Sequence, residues 1–155
     1  MARMETVNSN SEVLNTSEVI AMALEQLNSK KYTLDAAFKI IAKEAETADI
    51  VQFGNTVFLA NEGKNGSKNK LVGRAFNVDT ARNFIDNCLD YMEYLREKGI
   101  THYTTIFEGS EVLKLMQFLQ RFLESTDTNI YIGEDANNKY IAYVKLGNDP
   151  IPEVT

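Results

Sequence analysis

The stretch from Leu71 to Phe107 constrains this chain more than any other. Leu71 to Asn77 reads as a strand. Thr80 to Lys98 reads as a helix with Phe84, Ile85, Cys88, Leu89, Met92 and Leu95 on one face, and Ile100 to Phe107 reads as a second strand. A strand, a long helix and another strand in immediate succession require a crossover. The two strands are therefore expected to run parallel, joined by a right-handed connection. Asp79 or Thr80 supplies the helix N-cap and Gly99 the C-terminal stop. In the second strand Ile100, His102, Thr104 and Ile106 share one side, and Thr101, Tyr103, Thr105 and Phe107 the other.

The flanking segments build the rest of the sheet and its cover. Residues 1–14 are polar and are expected to be disordered or to form a weak first strand. Asn15 with Glu18 forms a capping pattern before a helix that carries Val19, Ile20, Ala23, Leu24 and Leu27 on one stripe and stops near Asn28. A second helix starts at Thr33, with Leu34, Ala37, Phe38, Ile41 and Ala45 on one face. After Asp49 the period changes. Ile50 to Phe53 and Thr56 to Ala60 are strand-like and are separated by Gly54-Asn55, a two-residue hairpin turn. A polar loop from Asn61 to Lys70 leads to the Leu71 strand, completing an antiparallel meander.

Beyond the crossover, Gly109-Ser110 opens a helix whose inward residues are Val112, Leu113, Met116, Leu119 and Leu123. Asn129 to Gly133 and Tyr140 to Leu146 form a hairpin, and Pro150 and Pro152 end the fold. The expected architecture is α+β, with a mixed, mostly antiparallel sheet in the order α-α-β-β-β-α-β-α-β-β. Residues 15–149 make a single domain and residues 150–155 a tail.

Charge and cysteine content narrow the function. The chain has 22 acidic and 16 basic residues, a net charge of −6. That balance opposes loose binding to nucleic acid or to an anionic membrane. Lys64, Lys68 and Lys70 in the polar loop, against Glu62, read as a solvated hairpin loop before they read as a nucleic-acid contact. Cys88 is the single cysteine, on the apolar stripe of its helix, and is expected to be an inert core thiol. No Cys/His cluster, phosphate loop, dinucleotide fingerprint or nucleophile elbow is present, so metal, kinase, redox and hydrolase chemistry have no support in the sequence. With no apolar run of bilayer length and no signal-peptide pattern, a cytoplasmic location is expected.

The order of elements over residues 17–147 resembles the GNAT family of acyl-CoA-dependent N-acyltransferases. The resemblance implies acyl-CoA in a cleft where two central strands splay apart. It also implies the pyrophosphate on backbone amides at the start of the following helix, where a helix N-terminus favours phosphate. The matching cofactor-binding residues are Phe76, Asn77, Val78, Thr80, Ala81 and Arg82, with Arg74 adding charge. Two positions depart from the family. No glycine follows Gly73 in the phosphate segment, where Asp79 brings a negative charge. The tyrosine that protonates the departing thiolate falls here near Gln117 or Phe118, and neither is a general acid.

His102, the only histidine, and Glu108, at a strand end, are the candidate catalytic groups for deprotonating an amine through water. A strand histidine is more often partly buried and structural, and a strand-end carboxylate more often solvated. Two readings follow. The first is a non-catalytic or degenerate GNAT-like interaction or structural protein, of the kind bacterial viruses encode, found in a host cytoplasm or a particle assembled there. It would associate with itself or a protein partner through the C-terminal hairpin, with Tyr131, Ile141 and Tyr143 exposed. The second is an acetyl-CoA-dependent N-acetyltransferase acting on a small amine or protein amine.

Overall fold

The structure is a computed structural model that describes residues 34–63, 68–134 and 137–153. Residues 1–14, expected to be disordered or a weak first strand, and the helix expected at 15–28 lie outside the described residues. So does Lys64 of the polar loop.

Among the described residues the order is α1 (Leu34–Glu44), a 3-10 turn (Ala45–Thr47), β1 (Asp49–Phe53), β2 (Thr56–Glu62), β3 (Lys70–Asn77), α2 (Ala81–Glu97), β4 (His102–Glu108), α3 (Ser110–Phe122), β5 (Asn129–Glu134) and β6 (Lys139–Lys145). The strands form one six-stranded sheet in the order β1-β2-β3-β4-β6-β5. Every neighbouring pair is antiparallel except β3 and β4, which run parallel across the α2 crossover. The fold is the mixed, mostly antiparallel α+β sheet expected from the sequence.

Each β-turn follows from local chemistry. Gly54, at φ +56°, takes the left-handed position of the β1–β2 turn, and Asn138, at φ +61°, does so before β6. Several strand boundaries differ from the sequence reading. Asn61 and Glu62 extend β2 and Lys70 opens β3, so the ends of the polar loop are sheet. β4 starts at His102 and not at Ile100, because the Ile100 amide closes onto Leu95 O of α2 at 3.0 Å. The Thr101 amide likewise bonds Asn69 O at 2.8 Å.

Strand alternation sorts the sheet into two faces. On one, Phe58, Tyr103 and Val144 meet α2 and α3 in the main core with Leu89, Leu95 and Leu119. Burying each large apolar side chain there contributes about 1.5–3 kcal/mol. Tyr91 of α2 stacks on Phe58, ring centroids 4.1 Å apart and planes 9° from parallel. On the other face lie Val72, Thr104, Ile141 and Tyr143, all buried. There α1 packs over β3, β4 and β6, held at its start by an Asp35–Lys139 ion pair and by Lys139 over the Phe38 ring. Tyr131, Ile141 and Tyr143 are 7%, 0% and 6% exposed, which corrects the expectation that they form an exposed self-association surface. They point at the covered face, and a hairpin buried on both sides leaves them no outlet.

After β6 the chain returns to α2. Ile151 is buried there, and its amide donates to Glu93 Oε1 at 2.8 Å. Glu93 also accepts from Arg96 Nε at 2.9 Å, while Arg96 donates to Asn148 O at 3.0 Å. The Arg96 guanidinium, with the Ile151 amide, lowers the Glu93 carboxyl to about 2.

Candidate functional site

The parallel pair is short. β3 pairs with β4 only from Lys70↔His102 to Gly73↔Thr105. Beyond that point β3 follows β2 as far as Asn77, and β4 follows β6 as far as Glu108. Arg74–Asn77 and Ile106–Glu108 therefore diverge, and the strands open as a V between α2 and α3. A cavity of about 370 Å³ fills the opening, lined on its sides by Ala75, Phe84, Met92, Phe107 and Met116. Its size falls in the range of small-molecule sites, and its wall is mainly apolar with a few polar groups, as such sites usually are.

Gly73 and Tyr103 define the vertex. A Cβ on Gly73 would stand 2.0 Å from Leu59 O and 2.8 Å from the Tyr103 hydroxyl, so only glycine fits. Tyr103 is 7% exposed and lines the cavity, and its hydroxyl has no hydrogen-bond partner among the described residues. Burial pushes its pKa well above the ordinary tyrosine value, so it is a neutral donor. Cys88 lines the same cavity, and burial pushes its thiol up as well, which fits the inert core thiol expected.

The turn from β3 into α2 is held by a polar network. Thr80 is the N-cap and its hydroxyl accepts from the Asn83 amide at 3.2 Å. Asp79, the other cap candidate, does a different job. Its carboxylate accepts from the Asn55 amide at 2.8 Å and from Asn87 Nδ2 at 2.9 Å, joining the β1–β2 turn to α2. The Asn55 amide leads in keeping the Asp79 pKa below the ordinary value, so this charge persists beside the helix start. Asn87 Nδ2 also donates to Thr56 Oγ1 at 2.9 Å, and Thr56 donates to Asn77 Oδ1 at 2.7 Å.

The residues singled out as cofactor-binding separate into two groups. Asn77 lines the cavity, whereas Phe76 and Val78 are 51% and 86% exposed and Thr80, Ala81 and Arg82 are exposed at the helix start. Arg82 faces Asp86 at 3.7 Å, and Arg74 stacks over Phe76 with its guanidinium carbon 5.3 Å from the ring centroid. From α3, Val112, Leu115, Met116 and Leu119 line the cavity. Gln117 is half-buried and Phe118 stacks on Phe122 at 6.0 Å.

His102 and Glu108 are not brought together. Glu108 is exposed at the rim of the cavity, next to Lys139 in the β4–β6 register. His102 is half-buried at the closed end of the pair, roughly 20 Å along β4 from Glu108 at the usual strand rise. Burial, with Lys70 and Lys145 alongside, lowers its pKa to about 4. Its Nδ1 lies 2.8 Å from Thr101 Oγ1 and its ring 5.3 Å from that of Tyr143. Sequence reasoning passed over Gly73, Asn87 and Tyr103. Asn87 did carry a signal: it is a polar residue within the apolar face of α2.

No protein-family model matches the chain, and no curated protein matches it by sequence. Among solved structures it is similar to the ribosomal-protein-S18-alanine N-acetyltransferase from Escherichia coli. The two are 11% identical, the alignment covers 93% of this chain and 94% of that one, and the TM-score is 0.36.

Proposed function

We propose that this GNAT-like domain is a binding module that holds the flexible arm of an acyl thioester, such as acetyl-CoA, between β3 and β4 without transferring the acyl group. The observation that carries this reading is the parting of the two strands after Gly73↔Thr105 around a cavity of about 370 Å³. An open gap at that point is what acyl-thioester binding needs; a gap closed by side chains would have opposed it.

Two features favour holding over transfer. The α3 residues that face the cavity are Val112, Leu115, Met116 and Leu119, none of which can protonate a leaving thiolate. At the start of α2, the Asp79 carboxylate sets a negative charge against an incoming pyrophosphate. Affinity then rests on the arm and the acyl group more than on the phosphates. Calorimetric titration with acetyl-CoA, paired with a free-thiol assay in the presence of small amines, tests it. Binding without thiol release supports the module. No heat and no thermal stabilisation at millimolar ligand would end it, because a ligand specific to the native state must stabilise that state.

A second reading, N-acetyl transfer to an amine, draws on Glu108. Its exposed carboxylate at the cavity rim can accept a proton from an amine through water. Thiol release that disappears in Glu108→Gln would favour this reading over the first.

A further inference from the structure

The cavity does not end at the vertex. Below the level of Gly73 and Thr105 it continues under α2 and α3, lined by Cys88, Met92, Leu95, Leu119, Val144 and Leu146. Leu146 sits one step past the Lys145↔His102 pair, with its amide on Thr101 O at 2.9 Å. From the level of Thr105 to that of Thr101, β4 rises roughly 13 Å. An extended chain of about a dozen bonds spans that length. An acetyl group would fill only the top of it.

Asn77 and Glu108 line the cavity toward its open end, and Thr105 and Tyr103 supply polar groups at the vertex. Thr105 lines the cavity at the last paired position. The Tyr103 hydroxyl reaches to the same height, because it stands 2.8 Å from where a Gly73 Cβ would be. That hydroxyl is buried and unpartnered among the described residues, and Tyr103 lines the cavity. A buried donor left without an acceptor is destabilising. A ligand that brings an oxygen to the vertex removes that cost. One with hydrocarbon at the same height leaves it in place.

We infer that the cavity is built for a medium-chain acyl thioester, with the Tyr103 hydroxyl donating to the thioester carbonyl at the vertex and the acyl chain lying below it. This rests on the acyl-thioester reading of the cleft and adds the chain length and the positioning residue. Tyr103 touches the carbonyl and fixes its height; no bond is made or broken.

The test measures dissociation constants of the intact chain for acetyl-CoA, octanoyl-CoA and S-octyl-CoA, the thioether that lacks the carbonyl. Octanoyl-CoA is expected to bind at least tenfold more tightly than acetyl-CoA, since each buried methylene adds to affinity. It is also expected to bind about fivefold more tightly than S-octyl-CoA, the worth of one hydrogen bond. In Tyr103→Phe the preference for octanoyl over S-octyl is lost while S-octyl affinity and thermal stability hold, because the removed hydroxyl has no hydrogen-bond partner among the described residues. Equal binding of the two octyl ligands by the native chain, or the same preference in Tyr103→Phe, overturns the inference and leaves the cleft reading standing. A native chain that binds none of the three ligands overturns both. Met92→Trp, which fills part of the cavity, is expected to abolish the octanoyl advantage over acetyl-CoA; an unchanged octanoyl advantage contradicts the chain placement.

Discussion

Gly73 of β3 stands opposite Thr105 of β4 at the last position where the two parallel strands pair, and the cavity between the strands opens from that point. The backbone of Leu59 on the other side of Gly73 leaves no room for a side chain. β3 is thus held close to β2 just where it leaves β4.

Gly73→Ala tests that packing. A methyl group cannot coexist with Leu59 O and the Tyr103 hydroxyl at their present distances, so the strands must shift. Overpacking of this kind costs about 1–3 kcal/mol. Urea denaturation should show a lower midpoint with an unchanged slope. A variant as stable as the native chain would mean that the β2–β3 contact is looser than described.

Asp79→Asn separates the two roles of the turn. The amide keeps an acceptor for the Asn55 amide but removes the charge beside the start of α2. Affinity for CoA is expected to rise by about two- to fivefold at low salt, with the gain shrinking as salt is added. Thermal stability should fall, and the part due to Asp79 has a pH signature. Because the folded pKa is below the unfolded one, that stability is present above the ordinary carboxylate value and is lost as pH falls through the folded value. An acid limb of the melting curve that is identical in native and variant chains would contradict this.

His102 sets an opposite constraint on its own protonated form. Its pKa is about 4 in the fold against about 6.5 when unfolded, so the unfolded chain takes up a proton first as pH falls. Stability attributable to His102 is intact above 6.5, declines as the pH falls below it and is fully lost by about 4. His102→Gln should flatten the melting temperature across that window while leaving CoA binding at pH 7.5 within a factor of two. A large loss of CoA binding would bring His102 into the site from which its position on β4 separates it.

Glu93→Ala tests the C-terminal anchor. The carboxylate accepts from the Ile151 amide and from Arg96. Its loss is expected to cost about 1 kcal/mol, discounted for its partial exposure, and to speed hydrogen exchange at Ile151. The native anchor should weaken only as pH falls from the ordinary glutamate range toward about 2, the folded value. Unchanged exchange at Ile151 in the variant would show that the burial of Ile151 alone holds the segment.

What the sequence made legible is what local chemistry decides. The period of α2, the Gly54-Asn55 turn and the alternation in β4 each carry their own signal, and the mixed sheet follows from the crossover between β3 and β4. The point where those strands part is different. It depends on β3 staying with β2 and β4 staying with β6, a competition between neighbours that leaves no mark on either strand alone. The role of Asp79 was hidden for a similar reason: two adjacent residues can cap α2, and only the position of Asn55 decides which one does. Tyr103 reads as one more apolar-face residue of a strand until the missing side chain of Gly73 is seen beside its hydroxyl.

The most direct measurement is amide hydrogen exchange of the chain with and without octanoyl-CoA. The expected result is slowed exchange at Arg74–Asn77 and Ile106–Glu108, the two arms of the V, and at Cys88 and Met92 of α2. Protection elsewhere, or none at saturating ligand, would contradict the assignment of the cleft.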